Sequence, residues 1–314
     1  MQINKYVYSF NSDLTERELC RLESRCLFNE EEKNKLLFSN VKVDPSSSAF
    51  IKSRLDIITS SEDYSALINK IKKESICVEG FKVEYLVFNG DTTEYAERLA
   101  KLKDIGYSIE GYPDYYSPTI TYGLCNYEGV WCFGILAKNN FTWHKHKQKP
   151  RSYSNSISIN IAKALVNIAA KTSKEKKLLD ACCGVGTIML EACFAGNNIE
   201  GCDINWKVCR DARENLSHFN YSAKVYRSDI EDISRSYDAA IIDLPYNLLS
   251  SASDSDISHI IDSASKISNR LVIVSISDIS GFISDAGFSI SDYCSVSKPG
   301  KTNFARKIWV CDKG

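Results

Sequence analysis

No apolar run in the 314-residue chain approaches the roughly 18 residues that a membrane-spanning helix requires. The first residues, Met1 to Lys5, lack the apolar stretch of a secretory signal. Both absences point to a cytoplasmic chain that meets no membrane. There is no Cys-x-x-Cys pair although the chain holds 12 cysteines. Cys20, Cys77, Cys193 and Cys209 are scattered through apolar segments, which reads as buried reduced thiols, with no disulfide framework and no metal site. The formal net charge of -1 gives no global attraction to nucleic acid, so any such contact has to come from a local patch. What remains is ordinary globular composition, with 44% hydrophobic and 25% charged residues, in a chain longer than one core usually fills. Two domains are expected.

The first part reads as mixed α and β. A strand near Ile3–Phe10 is followed by a helix behind a capping box, Thr15-x-x-Glu18, with Leu19, Leu22 and Cys26 on one face. Phe50–Ile58 is a strand after the Ser46-Ser-Ser loop. Tyr64, Leu67, Ile68 and Ile71 follow Ser60-x-x-Asp63 at helical spacing, and Lys70, Lys72 and Lys73 complement that helix's C-terminus. Phe81–Phe88 is β-rich, Asp91-x-x-Glu94 opens a helix that Gly106 ends, and Thr119–Cys125 with Val130–Ala137 flank a hairpin turn at Asn126–Gly129. An α+β domain over residues 1–137 results.

Residues 138–156 form a basic linker. Lys138, Lys145, Lys147, Lys149 and Arg151, with His144, His146, Phe141 and Trp143, read either as a solvated connection or as a phosphate-contacting strap with aromatic interleaving. On the second reading Lys138, Trp143, Lys145, Lys147, Lys149 and Arg151 are nucleic-acid contacts.

Residues 157–314 alternate strands and helices. Strands fall at Lys177–Asp180, Ile199–Asp203, Ala223–Arg227, Ala239–Asp243, Leu271–Ile276, Ser289–Ser295 and Ala305–Cys311. The intervening helices cover about Ile188–Ala195, Val208–Phe219, Ser253–Ser268 and Asp278–Ala286. Such alternation predicts an α/β domain with a mostly parallel, Rossmann-like sheet of seven strands.

Two motifs carry chemistry. In Asp180-Ala-Cys-Cys-Gly184-Val-Gly186-Thr187 an acid ends a strand, and two glycines let the backbone turn and approach a ligand, with a helix following at once. The third glycine of a dinucleotide fingerprint and any Gly-Lys-Ser/Thr are missing, which disfavours NAD and ATP phosphates. Asp203, about twenty residues on, suits ribose hydroxyls, and Ile204 suits an adenine face. Asp229, flanked by Ser228 and Ile230, suits the adenine amine. With Cys182 and Thr187 in the turn, these residues make a candidate nucleoside-cofactor site.

The second motif, Asp243-Leu244-Pro245-Tyr246-Asn247, ends the next strand. Exocyclic amines of nucleobases are weak nucleophiles because their lone pair is delocalised. A carboxylate (Asp243) and a backbone carbonyl (Leu244, or Pro245) that accept both N–H bonds can stabilise the charge developing during attack. The Tyr246 ring can stack on the base and fix its distance. No cysteine nucleophile stands at a strand end, which disfavours a covalent adduct at pyrimidine carbon 5.

The D-x-x-x-G-x-G turn followed by D-L-P-Y resembles the S-adenosylmethionine-dependent RNA methylases of the THUMP-containing tRNA guanosine-N2-methyltransferase group, whose second motif is D/N-P-P-Y. The likeness covers residues 150–314, including Arg151-Ser-Tyr-Ser and the helix Ile157–Ala169, a segment that in the group helps close over the methionine end of the cofactor. Phe81–Leu136, with Gly106, Pro113, Pro118 and Gly134, resembles the end of a THUMP domain, which in the group binds the acceptor end of tRNA. The resemblance implies S-adenosylmethionine as cofactor, RNA and first of all tRNA as partner, and N2-methylguanosine as product. Leu244 departs from the group's first proline, and the N-terminal region is short and not strongly basic. Adenine N6 in DNA or rRNA, a protein glutamine amide, and a non-catalytic RNA-binding protein with the same fold are the competing readings.

Overall fold

In the second half of the chain the short segments Lys177–Asp180, Asn198–Asp203, Ala239–Asp243 and Arg270–Ser275 form strands, the last two rich in the β-branched residues that favour them. The computed structural model describes residues 5–88, 91–153, 156–247, 250–251, 253–297 and 304–314, with the backbone alone at 246–247 and 250–251. In chain order the elements are β1 (Tyr6–Phe10), α1 (Arg17–Phe28), β2 (Leu36–Ser39), β3 (Ile51–Ser61), α2 (Tyr64–Lys73), β4 (Phe81–Tyr85), α3 (Tyr95–Gly106), β5 (Ile120–Tyr127) and β6 (Val130–Lys138). There follow α4 (Ile159–Ala170), β7 (Lys177–Asp180), α5 (Thr187–Phe194), β8 (Asn198–Asp203), α6 (Trp206–His218), β9 (Lys224–Arg227) and β10 (Ala239–Asp243). The last are β11 (Tyr246–Asn247), β12 (Ser250–Ser251), α7 (Asp254–Ile267), β13 (Arg270–Ser275), α8 (Ser280–Asp285), β14 (Phe288–Ser297) and β15 (Ala305–Lys313).

Two compact units divide the chain. One is built from Met1–Asn11, Glu32–Ser46 and Ile51–Asn140, the other from Ser12–Glu31, Ser47–Phe50 and Phe141–Gly314. The main boundary therefore falls at 140/141, beside the expected end at 137. Helix α1, expected in the first domain, belongs to the second unit. Its expected capping box does not form: Thr15 lies in a short 3-10 turn, and the residue preceding α1 is Glu16, which makes no side-chain cap.

The first unit is a six-stranded sheet in the order β2-β1-β3-β6-β5-β4. Leu67 and Ile71 of α2 and Ile105 of α3 share one core with Phe81, Tyr122, Leu124, Trp131 and Phe133 of the strands. β3 carries a bulge between Ile57 and Thr59 where it meets β6. A Cβ on Gly134 there would lie 1.9 Å from the Asp56 carbonyl oxygen, so the close strand approach requires glycine.

The second unit holds a seven-stranded sheet in the order β14-β15-β13-β10-β7-β8-β9. β9, β8, β7, β10 and β13 pair in parallel, and β15 inserts antiparallel between β13 and β14. This is the mostly parallel Rossmann-like α/β sheet expected from the alternation. Leu179, Ile242, Leu271 and Ile273 of the strands are buried against Ile257, Ile261 and Ala264 of α7. The serine-rich segment is thus a helix with one apolar face, opened by a true capping box of Ser253 and Asp256.

Helix α1 contributes a buried acid to this unit. Glu23 is fully buried, accepting from Ser48 Oγ at 2.5 Å and Asn167 Nδ2 at 2.7 Å. Burial pushes its pKa up to about 7 against the lowering by those two hydrogen bonds. A carboxyl raised on folding contributes stability below its ordinary pKa and loses it as pH rises through the folded value. Wild-type stability should therefore fall between pH 5 and pH 8, and Glu23→Gln should flatten that fall by about 3 kcal/mol. Thermal melts of both proteins at the two pH values check this; parallel slopes would contradict it.

Candidate cofactor and acceptor site

The central strands β8, β7 and β10 are neighbours and all end on aspartate: Asp203, Asp180 and Asp243. Parallel pairing puts these ends on one edge of the sheet, where open α/β sheets bind ligands. The chain leaves β7 through Gly184 (φ 50) and Gly186 (φ 78), both left-handed, and enters α5 at once. A Cβ on Gly186 would sit 3.2 Å from the Ala212 Cβ of α6, so the second glycine also lets two helices approach.

Asp203 organises the turn. Its Oδ2 accepts the Gly184 N–H at 3.0 Å and its Oδ1 the Asn205 N–H at 2.9 Å. Burial raises its pKa in spite of these two bonds. Each oxygen keeps a lone pair for a further donor. Ile204 beside it is 70% exposed, an apolar surface at the place expected for a nucleobase. Ser228 donates its amide to the Asp203 carbonyl at 3.2 Å. Asp229 caps the short turn Ile230–Asp232, accepting from Glu231 N at 3.3 Å. Ile230 is buried with Ile242 and Ile257 in the core.

Asp180 is 0% exposed, and neither of its carboxylate oxygens has a hydrogen-bond partner among the described residues. Burial holds its pKa well above the usual range, reinforced by Asp243 and then Asp203. The Thr187 Oγ1 at the head of α5 is likewise buried and without a partner among the described residues. Orphaned buried polar atoms are rare and costly without a partner. Cys182 and Cys183 share this environment, and burial pushes both thiols well up, so neither is a thiolate nucleophile.

Asp243 ends β10 half-buried, with Leu244 buried behind it. The Leu244 N–H donates to the Val274 carbonyl at 3.1 Å, a bond that proline could not make. Leucine at this position thus extends the sheet ladder by one link. Pro245 is half-buried. Tyr246 begins the β11–β12 hairpin, and its side chain lies outside the described residues.

The basic segment is less uniform than its composition. Trp143, expected to stack on a base, is 1% exposed, and the Lys163 ammonium lies 5.0 Å from its ring; it is a core residue. His146 is buried too, with Nδ1 2.7 Å from Glu191 Oε1 and Nε2 3.0 Å from the Tyr221 hydroxyl. Glu191 accepts from Lys163 at 3.3 Å. This buried charge cluster ties the 3-10 turn Thr142–Gln148 to α4 and α5. Lys138 pairs with Glu84, Arg151 with Glu214 at 2.9 Å, and Lys149 is half-buried. Lys145 and Lys147 are exposed.

A mostly parallel sheet of this order, with three acids at adjacent strand ends around a glycine turn, defines a Rossmann-like α/β domain. Residues 147–258 match the family described as RMKL-like, methyltransferase domain, and that segment contains the turn and all three acids. Over 120 residues the chain is 32% identical to the tRNA (guanine(10)-N2)-dimethyltransferase of Methanothermobacter thermautotrophicus, covering 37% of this chain and 35% of that protein. It is 28% identical over 120 residues to the enzyme of the same name from Methanocaldococcus jannaschii, covering 34% and 33%. The chain thus spans about a third of the length of these curated relatives. The solved structure of TrmN from Thermus thermophilus is 13% identical, with 98% of this chain and 99% of that one covered at a TM-score of 0.49.

Among the described residues no helix is long and apolar enough to cross a membrane, and no group of three or more His, Cys, Asp or Glu could hold a metal ion.

Proposed function

We propose that this chain transfers a methyl group from S-adenosylmethionine to an exocyclic amine of a nucleobase, with guanine N2 of tRNA as the acceptor. The observation that carries the reading is the buried Asp180 carboxyl, without a partner among the described residues, set between Asp203 and Asp243 at adjacent strand ends. A cationic α-amino group is the partner such an acid lacks, and S-adenosylmethionine carries one. Asp203 has lone pairs for the ribose hydroxyls, Ile204 offers an apolar face to adenine, and Asp229 an acceptor for the adenine amine. When bound, the cofactor supplies an electrophilic methyl group.

The chain's own residues do the rest. Asp243 and the Leu244 carbonyl accept the two N–H bonds of the target amine, orient its lone pair and stabilise the charge that develops. Asp243 takes the proton that the amine sheds. Tyr246 is assigned the stacking face.

The first unit is assigned to RNA binding as a THUMP-like domain. Lys145 and Lys147 are the exposed phosphate contacts of the basic segment; Trp143 is not. The two curated relatives named as tRNA guanine-N2 enzymes support the acceptor. Twelve free cysteines, most of them buried, suit a reducing cytoplasm.

The test is incubation of the purified chain with methyl-labelled S-adenosylmethionine and unmodified tRNA transcripts, followed by nucleoside mass spectrometry. Label in N2-methylguanosine or its dimethyl form is expected. Label in N6-methyladenosine, or none at all, would overturn the assignment.

A further inference from the structure

Helix α6 reads from its sequence as an ordinary amphipathic helix, yet one of its faces grips two other segments of the same unit. Asp211, Glu214 and Asn215 stand at i, i+3 and i+4, side by side. Asn215 is 0% exposed, and its amide makes three hydrogen bonds, all to backbone. Oδ1 accepts the Arg151 N–H at 2.9 Å. Nδ2 donates to the Arg151 carbonyl at 2.9 Å and to the Val185 carbonyl at 2.9 Å. Val185 is the residue between the two glycines of the cofactor turn.

Two more bonds extend the grip. Glu214 accepts from Arg151 Nε at 2.9 Å, and Asp211 accepts from the Tyr153 hydroxyl at 2.7 Å. Residues 151–153, whose outer surface is exposed, are therefore strapped along α6 by three side chains, Asp211, Glu214 and Asn215.

The consequence for the turn is specific. The peptide joining Val185 to Gly186 is held at both ends: its carbonyl by Asn215, and its N–H by the Cys183 carbonyl at 2.8 Å. Gly186 sits at φ 78, where glycine has conformational freedom to lose. Pinning that peptide fixes which way the turn's carbonyl points and keeps it directed at α6. No other residue type does this. Aspartate lacks the two donors, leucine lacks every polar atom, and glutamine is one methylene too long for a site without space.

We infer that Asn215 is a positioning residue that locks the Arg151–Tyr153 strap and the glycine turn into one preorganised element for the nucleoside cofactor. The inference rests on the proposed cofactor reading. Preorganisation lowers the ordering cost of binding, so its loss appears in cofactor affinity before it appears in chemistry.

The experiment uses the full chain and Asn215→Ala. Calorimetry with S-adenosylmethionine should give a dissociation constant raised about 10- to 100-fold, since two or three net hydrogen bonds are lost. The KM for the cofactor should rise while kcat at saturation stays near wild type. Amide exchange at Arg151 should quicken in the cofactor-free protein, a readout that needs no cofactor. If Asn215→Ala does not fold, the double variant Arg151→Ala with Tyr153→Phe, which alters exposed side chains, should weaken cofactor binding about threefold to tenfold by loosening the strap alone. Wild-type affinity in either folded variant, or unchanged Arg151 exchange in Asn215→Ala, would overturn the inference. A wild-type chain that binds no S-adenosylmethionine would instead sink the cofactor reading and leave the exchange result to judge the strap.

Discussion

Asp180→Asn should raise the melting temperature of the cofactor-free chain and at the same time abolish the further rise that S-adenosylmethionine brings. The carboxyl is 0% exposed, lacks any hydrogen-bond partner among the described residues, and is crowded by Asp243 and Asp203. An acid whose folded pKa is raised stabilises the fold below its ordinary pKa and loses that contribution as pH climbs through the folded value. At neutral pH the wild-type chain therefore bears a cost that an isosteric neutral amide avoids. The amide keeps the unpartnered polar atoms and removes only the pH-linked cost of the carboxyl, so the gain should be larger at pH 8 than at pH 6. The cofactor side runs the other way, because the amide cannot pair ionically with an ammonium. A ligand at a hundred times its dissociation constant stabilises by about 2.7 kcal/mol, and that increment should vanish. Melts of both proteins at pH 6 and pH 8, with and without cofactor, separate the effects. A variant that melts lower than wild type, or that keeps the cofactor shift, would refute the role.

This coupling of instability to binding explains which parts of the protein were legible in its sequence. Asp180, Asp203 and Asp243 announced themselves because each ends an apolar run, and parallel strands of similar length bring their ends together. The other four strands of the second sheet were readable from their β-branched and aromatic content. The placement of β15 between β13 and β14 was not, since strand order is decided by packing and leaves no local pattern. Strand β2, Leu36–Ser39, was unreadable because its Leu-Leu-Phe run has no β-branched residue and no alternation. Helix α1 showed its apolar face correctly but not the unit to which that face is bound.

Composition misled in the basic segment. Trp143 and His146 sit among lysines, yet the pairing of His146 with Glu191 and of Glu191 with Lys163 makes part of that run internal. A buried histidine and an exposed one are indistinguishable until the acid forty-five residues away is brought to it. Asn215 gave no signal at all, because a polar residue on a charged helix ordinarily faces water. Only its full burial and three backbone partners mark it out.

The largest loss of activity should follow from Asp243→Ala. Strand β10 directs this carboxylate to the same sheet edge as the cofactor turn, one strand away from Asp180. Leu244 is anchored behind it by the bond of its N–H to Val274. On the proposed mechanism, removing the acceptor deprives the amine of its oriented lone pair, its charge stabilisation and the destination of its proton. Electrostatic and general-base contributions of this kind are worth about 10²- to 10⁴-fold in turnover, and the drop should appear in kcat at saturating cofactor. Cofactor binding should survive and become slightly tighter, because the Asp243 charge is the second cause of the raised Asp180 pKa. With that charge gone, Asp180 ionises more readily and pairs better with an ammonium group. Calorimetry and single-turnover transfer to tRNA on the same preparation test both halves. Unchanged turnover would remove Asp243 from the chemistry, and a parallel loss of cofactor affinity would move it to the cofactor site instead.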